Sequence, residues 1–588
     1  MSTKEKVKGG SFILEQVNAN DVFTPEDFND EQKMIAKTTA DFIEGEVVPH
    51  FEELESLNID LTVKLLKKAG ELGLLGADVP EEYDGLGLDK VSSALISEYF
   101  TRGGSFALSH GAHIGIGSLP IVYFGTKEQK AKYLPKLATG EWLAAYALTE
   151  PGSGSDALGA KTTAKLSEDG KYYILNGTKQ FITNAGFANV FVVYAKIDGE
   201  KFSAFIVERD FPGVSTGPEE KKMGIKGSST RPLILEDAKV PVENLLGEEG
   251  KGHLIAFNIL NIGRYKLGIG CTGTSKRALQ VSAQYANERK QFGRPISSFT
   301  LIGEKLADMN TKIYALESLI YRIVGLYNDI FADFEDPNDK GRTAANLIAE
   351  YAIECSISKV FGSEVLGFVA DEGVQIHGGY GFIQEYEIEG IYRSSRINRI
   401  FEGTNEINRL LIPGTLLRKA LKGELPLMEA TQKLQAELMN LTPQSPDGTP
   451  LGNEKLLIEQ ARKAFLMVGG LAVQKYQQKL DNEQEILANL ADMLIEFYAM
   501  QSAVLRAEKA LAKGNAGLKV TLAKLYANQA FERIEDLGRE TLAAMAEGDA
   551  LRMQLSIFKK LTRVEPINTI ALKREVAAKV IEEQKYVH

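Results

Sequence analysis

Tyr172-Tyr173-Ile174-Leu175, then Phe191-Val192-Val193-Tyr194 and the run from Phe202 to Val207, decide the fold. Short β-branched and aromatic runs between Gly, Asn and Asp turns read as strands, and they interrupt a chain that is otherwise helical in pattern. A middle β domain is expected over residues 142–250. Upstream, over 29–141, apolar residues recur at helical spacing, as in Leu61, Leu65, Leu66, Ala69 and Leu72, with breaks at Pro49, Pro80 to Gly87 and Gly125. Downstream, over 251–423, patterns as long as Leu301 to Phe331 and Asn346 to Phe368 fit a helical bundle, with loops at Phe292 to Pro295 and Asp336 to Gly341. Residues 424–453 read as a linker, because Thr442 to Asn453 holds three prolines and two glycines. Residues 454–588 read as a further helical unit, in stretches from Glu454 to about Lys513, Leu518 to Met545 and Ala550 to Lys585, and residues 1–28 as an N-terminal extension. The expected class is α+β, mostly α: an N-terminal helical domain, a middle β domain, a C-terminal four-helix bundle and an extra C-terminal helical domain.

Composition bounds the function. A chain of 588 residues with a hydrophobic share of 44% is long enough for several cores. The formal charge of -11 disfavours nucleic acid, whose affinity comes from neutralised phosphates. Cys271 and Cys355 are the only cysteines, so neither a disulfide framework nor a CxxC metal site is expected, and a reducing compartment fits. The apolar run Phe12-Ile13-Leu14 is too short for a signal-peptide core, and nowhere do 18 apolar residues run together. A soluble cytoplasmic protein is expected. The stretch Leu425 to Leu441 mixes Glu429, Lys433 and Glu437 without a strongly basic face, so peripheral membrane association is expected to be weak or absent.

Several motifs are suited to chemistry. Phe401-Glu402-Gly403-Thr404-Asn405 sets a carboxylate on a short turn before a helix from Asn405 to Leu411 that Thr404 can cap, a place from which Glu402 could remove a proton; alone, it also reads as an ordinary helix cap. Tyr146-Ala147-Leu148-Thr149-Glu150-Pro151-Gly152-Ser153-Gly154-Ser155-Asp156 packs glycines and hydroxyls after a strand, where they could line a polar cofactor edge. Its resemblance to GxGxxG is set aside because Lys161 to Leu166 reads as a strand, not a helix. Gly268, Gly270 and Gly273 lie inside a helical pattern and read as helix packing. In Lys179-Gln180-Phe181-Ile182-Thr183-Asn184-Ala185-Gly186, a hairpin corner or an aromatic and a hydroxyl set against a flat ring are both open readings. Glu288-Arg289-Lys290-Gln291-Phe292-Gly293 offers a forked cation suited to pyrophosphate, and Gln375 to Phe382 is glycine-rich at a helix end. His110 and His113 stand at i, i+3 with no further ligand in spacing, so no metal is expected. No GxSxG elbow is present, which argues against hydrolase chemistry.

Read in order, YALTEPGSGSD, KQFITNAG, NERKQFG, QIHGGYGF and RIFEGTNEI resemble the successive signatures of the acyl-CoA dehydrogenase family. The resemblance covers roughly Glu31 to Leu421, and the added helical unit is similar to that of the very-long-chain branch. It implies FAD as cofactor, a homodimer, and electron-transferring flavoprotein as acceptor. By position it implies FAD contacts from Tyr146, Leu148, Thr149, Gly154, Ser155, Phe181, Ile182 and Thr183 within the subunit. Arg289, Gln291, Gln375 and Gly379 are implied to reach FAD across the dimer, with Thr404 and Glu406 completing its binding. Glu402 matches the catalytic base, which takes the α proton of an acyl-CoA thioester while the β hydrogen leaves as hydride to the flavin, giving a trans-2-enoyl-CoA as in fatty acid β-oxidation. Ser155, Asn261, Arg264, Phe401 and Gly403 are implied as substrate contacts.

Three features depart from the family's common pattern. Phe181 stands where many members carry tryptophan, Asn261 replaces an aspartate of shorter-chain members, and Gly115, Gly117 and Ser118 lack bulk where the acyl tail is expected to end. Long-chain substrates are the expectation. An acyl-CoA oxidase and a noncatalytic flavoprotein scaffold are the alternative readings.

Overall fold

Eight strands between Ala144 and Leu246 build the middle domain: β1 (Ala144–Ala147), β2 (Thr163–Leu166), β3 (Tyr172–Thr183), β4 (Val190–Ile197), β5 (Lys201–Glu208), β6 (Val214–Thr216), β7 (Thr230–Pro241) and β8 (Leu245–Leu246). They pair in the order β6-β7-β3-β2-β4-β5-β8, with β1 added parallel to β4. Phe191, Val193, Phe205, Val207, Leu233, Leu235, Val240 and their neighbours form the buried core of this domain. The computed structural model describes residues 6–438 and 444–588.

The chain divides into two units. One comprises residues 28–273 and 327–350; the other comprises 1–27, 274–326 and 351–588. The division falls inside the helices Gly252–Glu288 and Thr300–Phe331.

In the first unit, the helices Asp30–Phe42, Ile59–Glu71, Lys90–Phe100 and Lys127–Thr139 start at side-chain caps from Asn29, Asn58, Asp89 and Thr126. They enclose a core of Phe42, Leu65, Leu66, Leu74, Ile96, Phe100 and Phe106. A π-helical turn, Ala112–Gly117, leads toward β1, and His113 joins the two: its Nδ1 accepts the Ala144 amide at 3.0 Å while Nε2 lies 2.9 Å from the Leu137 carbonyl. His110 Nε2 lies 3.0 Å from the Leu74 carbonyl. Burial pushes both imidazoles down, His110 to about 3 and His113 to about 4. Both histidines serve to tie backbone segments together.

In the second unit, the helices Ala352–His377, Asn405–Leu421, Gly452–Tyr476, Gln484–Ala512 and Lys519–Met545 carry most of the core. Arg506, wholly buried, bonds Glu317 Oε2 at 2.6 Å and Glu26 Oε1 at 2.7 Å, and Tyr586 joins at Glu317 Oε2, 2.7 Å. The network thereby secures segments from both ends of the chain.

Four sequence expectations are corrected. The 424–453 stretch is not all linker, since Leu427–Leu438 is a helix with Leu434 buried; the prolines that suggested a linker lie beyond it. The part of Leu425 to Leu441 beyond residue 438, and residues 442–443 of the linker, lie outside the described residues, as do the first five residues. The pattern Asn346 to Phe368 is two helices, Arg342–Glu350 and Ala352–His377, broken at Tyr351, whose hydroxyl bonds to the Val7 carbonyl at 2.8 Å. Glu454 to Lys513 is likewise two helices, Gly452–Tyr476 and Gln484–Ala512. Phe292 to Pro295 is not an open loop. It belongs to a tight hairpin of β9 (Lys290–Gln291) and β10 (Arg294–Pro295), with Phe292 at φ 54 and Gly293 at φ 79, a turn whose twist matches that of the flanking strands.

Candidate functional site

The helix Asn405–Leu421 begins at Thr404, whose hydroxyl accepts the Ile407 amide at 3.2 Å, and continues through Pro413, ten residues past the expected Leu411. Just before it, Glu402 (φ 57) and Gly403 (φ 78) both lie in the left-handed region. Glycine adopts that conformation freely, but for a glutamate it stores strain that the surroundings must impose. Here the restraint is Asn408, fully buried, whose Nδ2 donates to the carbonyls of Gly403 at 2.9 Å and Thr404 at 3.0 Å, with Glu402 O at 3.4 Å. Asn405, also buried, accepts from Lys359 Nζ at 2.6 Å and donates to Ser363 Oγ at 3.0 Å. The result is a carboxylate held on a rigid turn, with Oε2 shielded from water. Glu406, in the first helical turn, has its carboxyl held below the ordinary range by its own backbone amide. Phe401, Glu402, Gly403 and Thr404 are all partly buried.

Elsewhere in the same unit, Arg289, Gln291, Gln375 and Gly379 are exposed. The Arg289 guanidinium lies over the Tyr380 ring at 5.4 Å, which brings it beside the glycine-rich turn Gly378–Phe382; a side chain at Gly378 or Gly379 would meet nothing within 4 Å. Phe292 and Phe382 are 93% and 85% exposed, unusual for phenylalanines unless another surface covers them.

In the other unit, the Tyr146–Asp156 motif follows β1 and runs beside the end of β3. Gln180 N–H donates to the Thr149 carbonyl at 2.8 Å, and Lys179 Nζ reaches the Leu148 carbonyl at 3.3 Å. The structure thus brings Tyr146, Leu148 and Thr149 together with Phe181, Ile182 and Thr183. Strand β3 bulges between Lys179 and Ile182, placing Phe181 at φ 60 with the residue 62% exposed. At this corner the strand bulges: the chain kinks and turns an aromatic face outward before pairing resumes at Ile182 with Arg231. The Ile182 side chain packs in the β core. Gly154 and Ser155 are exposed on the loop, and a Cβ at Gly152 or Gly154 would meet nothing within 4 Å. After Ala157–Gly159, a single 3₁₀ turn, the chain enters β2, which is not a dinucleotide-fingerprint geometry. On the helix Gly252–Glu288, Arg264 Nη1 donates to Asn261 Oδ1 at 2.9 Å, and both residues are buried.

An exposed aromatic face, a glycine loop open on one side and nearby hydroxyls suit a flat heteroaromatic ring with a polar rim. Sequence reasoning named neither Lys179 and Glu150 as a pair nor Asn408. The first two stand inside quoted motifs, but nothing in their spacing signals that they meet; Asn408 reads as one more polar helix residue.

Family models match in chain order: the acyl-CoA dehydrogenase N-terminal domain over 29–141, the middle domain over 145–238, and two models described as the C-terminal domain over 250–417 and 460–560. A probable acyl-CoA dehydrogenase of Bacillus subtilis is 63% identical over 584 residues, covering 98% of each chain. The mitochondrial very long-chain specific acyl-CoA dehydrogenase of Macaca fascicularis is 36% identical, covering 93% of this chain and 85% of its own. Among solved structures, an acyl-CoA dehydrogenase complexed with FAD from Bacillus anthracis superposes with a TM-score of 0.97 at 64% identity, covering 99% of this chain and 100% of its own.

Proposed function

Because this chain belongs to the acyl-CoA dehydrogenase family, we propose that it oxidises long-chain acyl-CoA thioesters in fatty acid β-oxidation, with Glu402 as base and electron-transferring flavoprotein as acceptor. It is an FAD-dependent acyl-CoA dehydrogenase. The residues present fit the cofactor. The exposed Phe181 face suits the ring, the hydroxyls of Thr149, Ser155 and Thr183 suit its rim, and Arg289, Gln291 and Gln375 form a donor set for pyrophosphate and adenine ribose.

The assignment of Glu402 rests above all on its restrained turn. A base must approach one proton and not its neighbours, and Asn408 fixes the backbone from which Glu402 reaches. Glu402 takes the α proton onto a carboxylate oxygen, the C–H electrons form the new double bond with the β carbon, and the product is a trans-2-enoyl-CoA. When bound, FAD supplies the acceptor for the β hydrogen and its electron pair. Negative charge grows on the thioester oxygen as the proton leaves, and the Glu402 amide is assigned to stabilise it. Phe401 and Gly403 are assigned to the thioester end of the substrate, and Ser155, Asn261 and Arg264 to the CoA portion. The open space beside Gly115, where a Cβ would meet only Lys266 Cδ at 3.8 Å, supports room for a long acyl tail. Tyr146, Leu148, Gly154 and the Ile182 backbone are assigned to FAD within the subunit, and Gly379, Thr404 and Glu406 to its remaining contacts.

A homodimer is part of the reading. It is supported by the exposed Phe292 and Phe382 beside Arg289, Gln291, Gln375 and Gly379, a surface an isolated chain would leave wet. Anaerobic bleaching of the flavin by a series of saturated acyl-CoAs, with no electron acceptor present, tests the function. The fastest bleaching is expected with long chains; bleaching confined to short chains would remove the substrate assignment. Stoichiometric hydrogen peroxide during full turnover in air would favour the oxidase instead.

A further inference from the structure

A buried ion pair joins the two stretches assigned to the flavin. Lys179 Nζ donates to Glu150 Oε1 at 2.7 Å and to the Leu148 carbonyl at 3.3 Å, and its side chain has 0% solvent exposure. The Glu150 carboxylate also accepts the Lys161 amide at 2.6 Å, the Thr162 amide at 3.0 Å and the Thr162 hydroxyl. Four donors from three residues therefore meet one carboxylate, and both ends of the loop 150–162 are fixed to a single point. Gly177 makes room for this, since a Cβ there would collide with Thr162 Oγ1. Within the loop, Glu150 and Ser153 exchange backbone hydrogen bonds at 3.0 Å each, and Ser153 Oγ donates to the Asp156 carbonyl at 2.5 Å. Immediately after Lys179, the bulge turns Phe181 outward.

Stability alone does not account for such a pair. Removing two charges from water is costly, and apolar side chains of similar volume often serve a fold equally well. Burial pushes the Lys179 ammonium down to about 8 despite Glu150 beside it. Burial also pushes the Glu150 carboxyl up, but the hydrogen bonds from Lys179, Thr162 and the Lys161 amide outweigh it and hold the group below its ordinary range. What the charged pair supplies, and an apolar pair cannot, is a donor for the Leu148 carbonyl and an acceptor for two successive amides.

We propose that Lys179 and Glu150 are positioning residues for the flavin: together they fix the Leu148 carbonyl and the loop 150–162 so that Thr149, Ser155 and Phe181 are presented to the cofactor. The proposal rests on the FAD-dependent reading, and the pair acts through the backbone it holds. The test is reconstitution of deflavinated protein with FAD, read by quenching of flavin fluorescence, beside thermal unfolding of the same FAD-free samples. Lys179→Met is expected to weaken FAD binding about tenfold or more, the scale of one lost charge-assisted hydrogen bond. The double variant Lys179→Met/Glu150→Met, which leaves no unpaired charge, is expected to melt above Lys179→Met while FAD binding stays as weak as in the single variant. Recovery of both together, or a Lys179→Met protein that melts early yet binds FAD as tightly as wild type, overturns the proposal. Thr162→Val, an isosteric change that removes one donor, serves if the lysine variants do not fold. It should weaken FAD binding about threefold, and unaltered binding with an altered melting temperature overturns the proposal. A wild-type chain unable to bind FAD would overturn the cofactor reading itself.

Discussion

At the scale of single residues, the turn at Glu402 illustrates how a side chain is made chemically specific. A glutamate at φ 57 is held against its own preference, and the opposing force comes from one buried amide, Asn408 Nδ2, spanning successive carbonyls. Replacing Asn408 with alanine leaves these carbonyls without their donor, and a destabilisation of about 1–3 kcal/mol is expected. The urea midpoint would report it, and kcat should fall with it if Glu402 is the base, as proposed. Glu402→Gln keeps the size of the side chain and removes its basicity. Turnover of acyl-CoA is expected to fall by about 10²-fold or more, with the visible flavin spectrum retained. Wild-type rates from the glutamine variant would exclude this residue as the base.

Helices and strands meet a different constraint, that of close approach. On the helix Gly252–Glu288, Gly273 lies so near the helix Lys90–Phe100 and its continuation that a Cβ would collide with Thr101 Oγ1 and the Glu98 carbonyl. Gly273→Ala is favoured by helix propensity, but the clash is with backbone and should dominate, for a net loss of about 1–3 kcal/mol measured by denaturant titration. A neutral result would mean that the two helices can separate slightly without penalty. This glycine was legible in sequence as helix packing, because no strand preceded it. The breaks at Tyr351 and within 454–513 were not legible in the same way. No proline or glycine stands at 351; the helix stops where Tyr351 turns into the interior, buried, to reach the Val7 carbonyl. Such a partner lies 344 residues away, beyond any local pattern.

On the scale of the whole molecule, titratable groups far from the chemistry set the response to pH. Glu354, buried in the helix Ala352–His377, accepts the Gly10 amide through Oε1 at 2.7 Å and so anchors the N-terminal extension. Burial pushes its carboxyl up to about 7 from an ordinary value of 4.5. The folded state therefore binds this proton more tightly than the unfolded chain does. Its contribution is complete below about pH 4.5 and is lost as pH rises through about 7, a change of roughly 3 kcal/mol. Glu354→Gln keeps the acceptor and abolishes the titration, so the variant should gain stability over wild type at pH 8 and not at pH 5. Parallel melting curves for the two proteins across that range would refute the assignment.

The sequence by itself determined that a β segment lies between helical ones along the chain, and the order of the five motifs. Side-chain period and turn residues are local properties, and they carry that information without any contact across the fold. The residues proposed to face ligand, Phe181 and Glu402, could also be picked out there, because each lies within a contiguous motif. Only the tertiary structure decided that Phe181 stands on a bulge, that Glu402 is strained and clamped, and that Lys179 meets Glu150. The bulge depends on how β3 registers with β7, the Lys179–Glu150 pair on a contact 29 residues apart, and the Glu402 clamp on an interior that buries Asn408 and makes an unpaired amide costly.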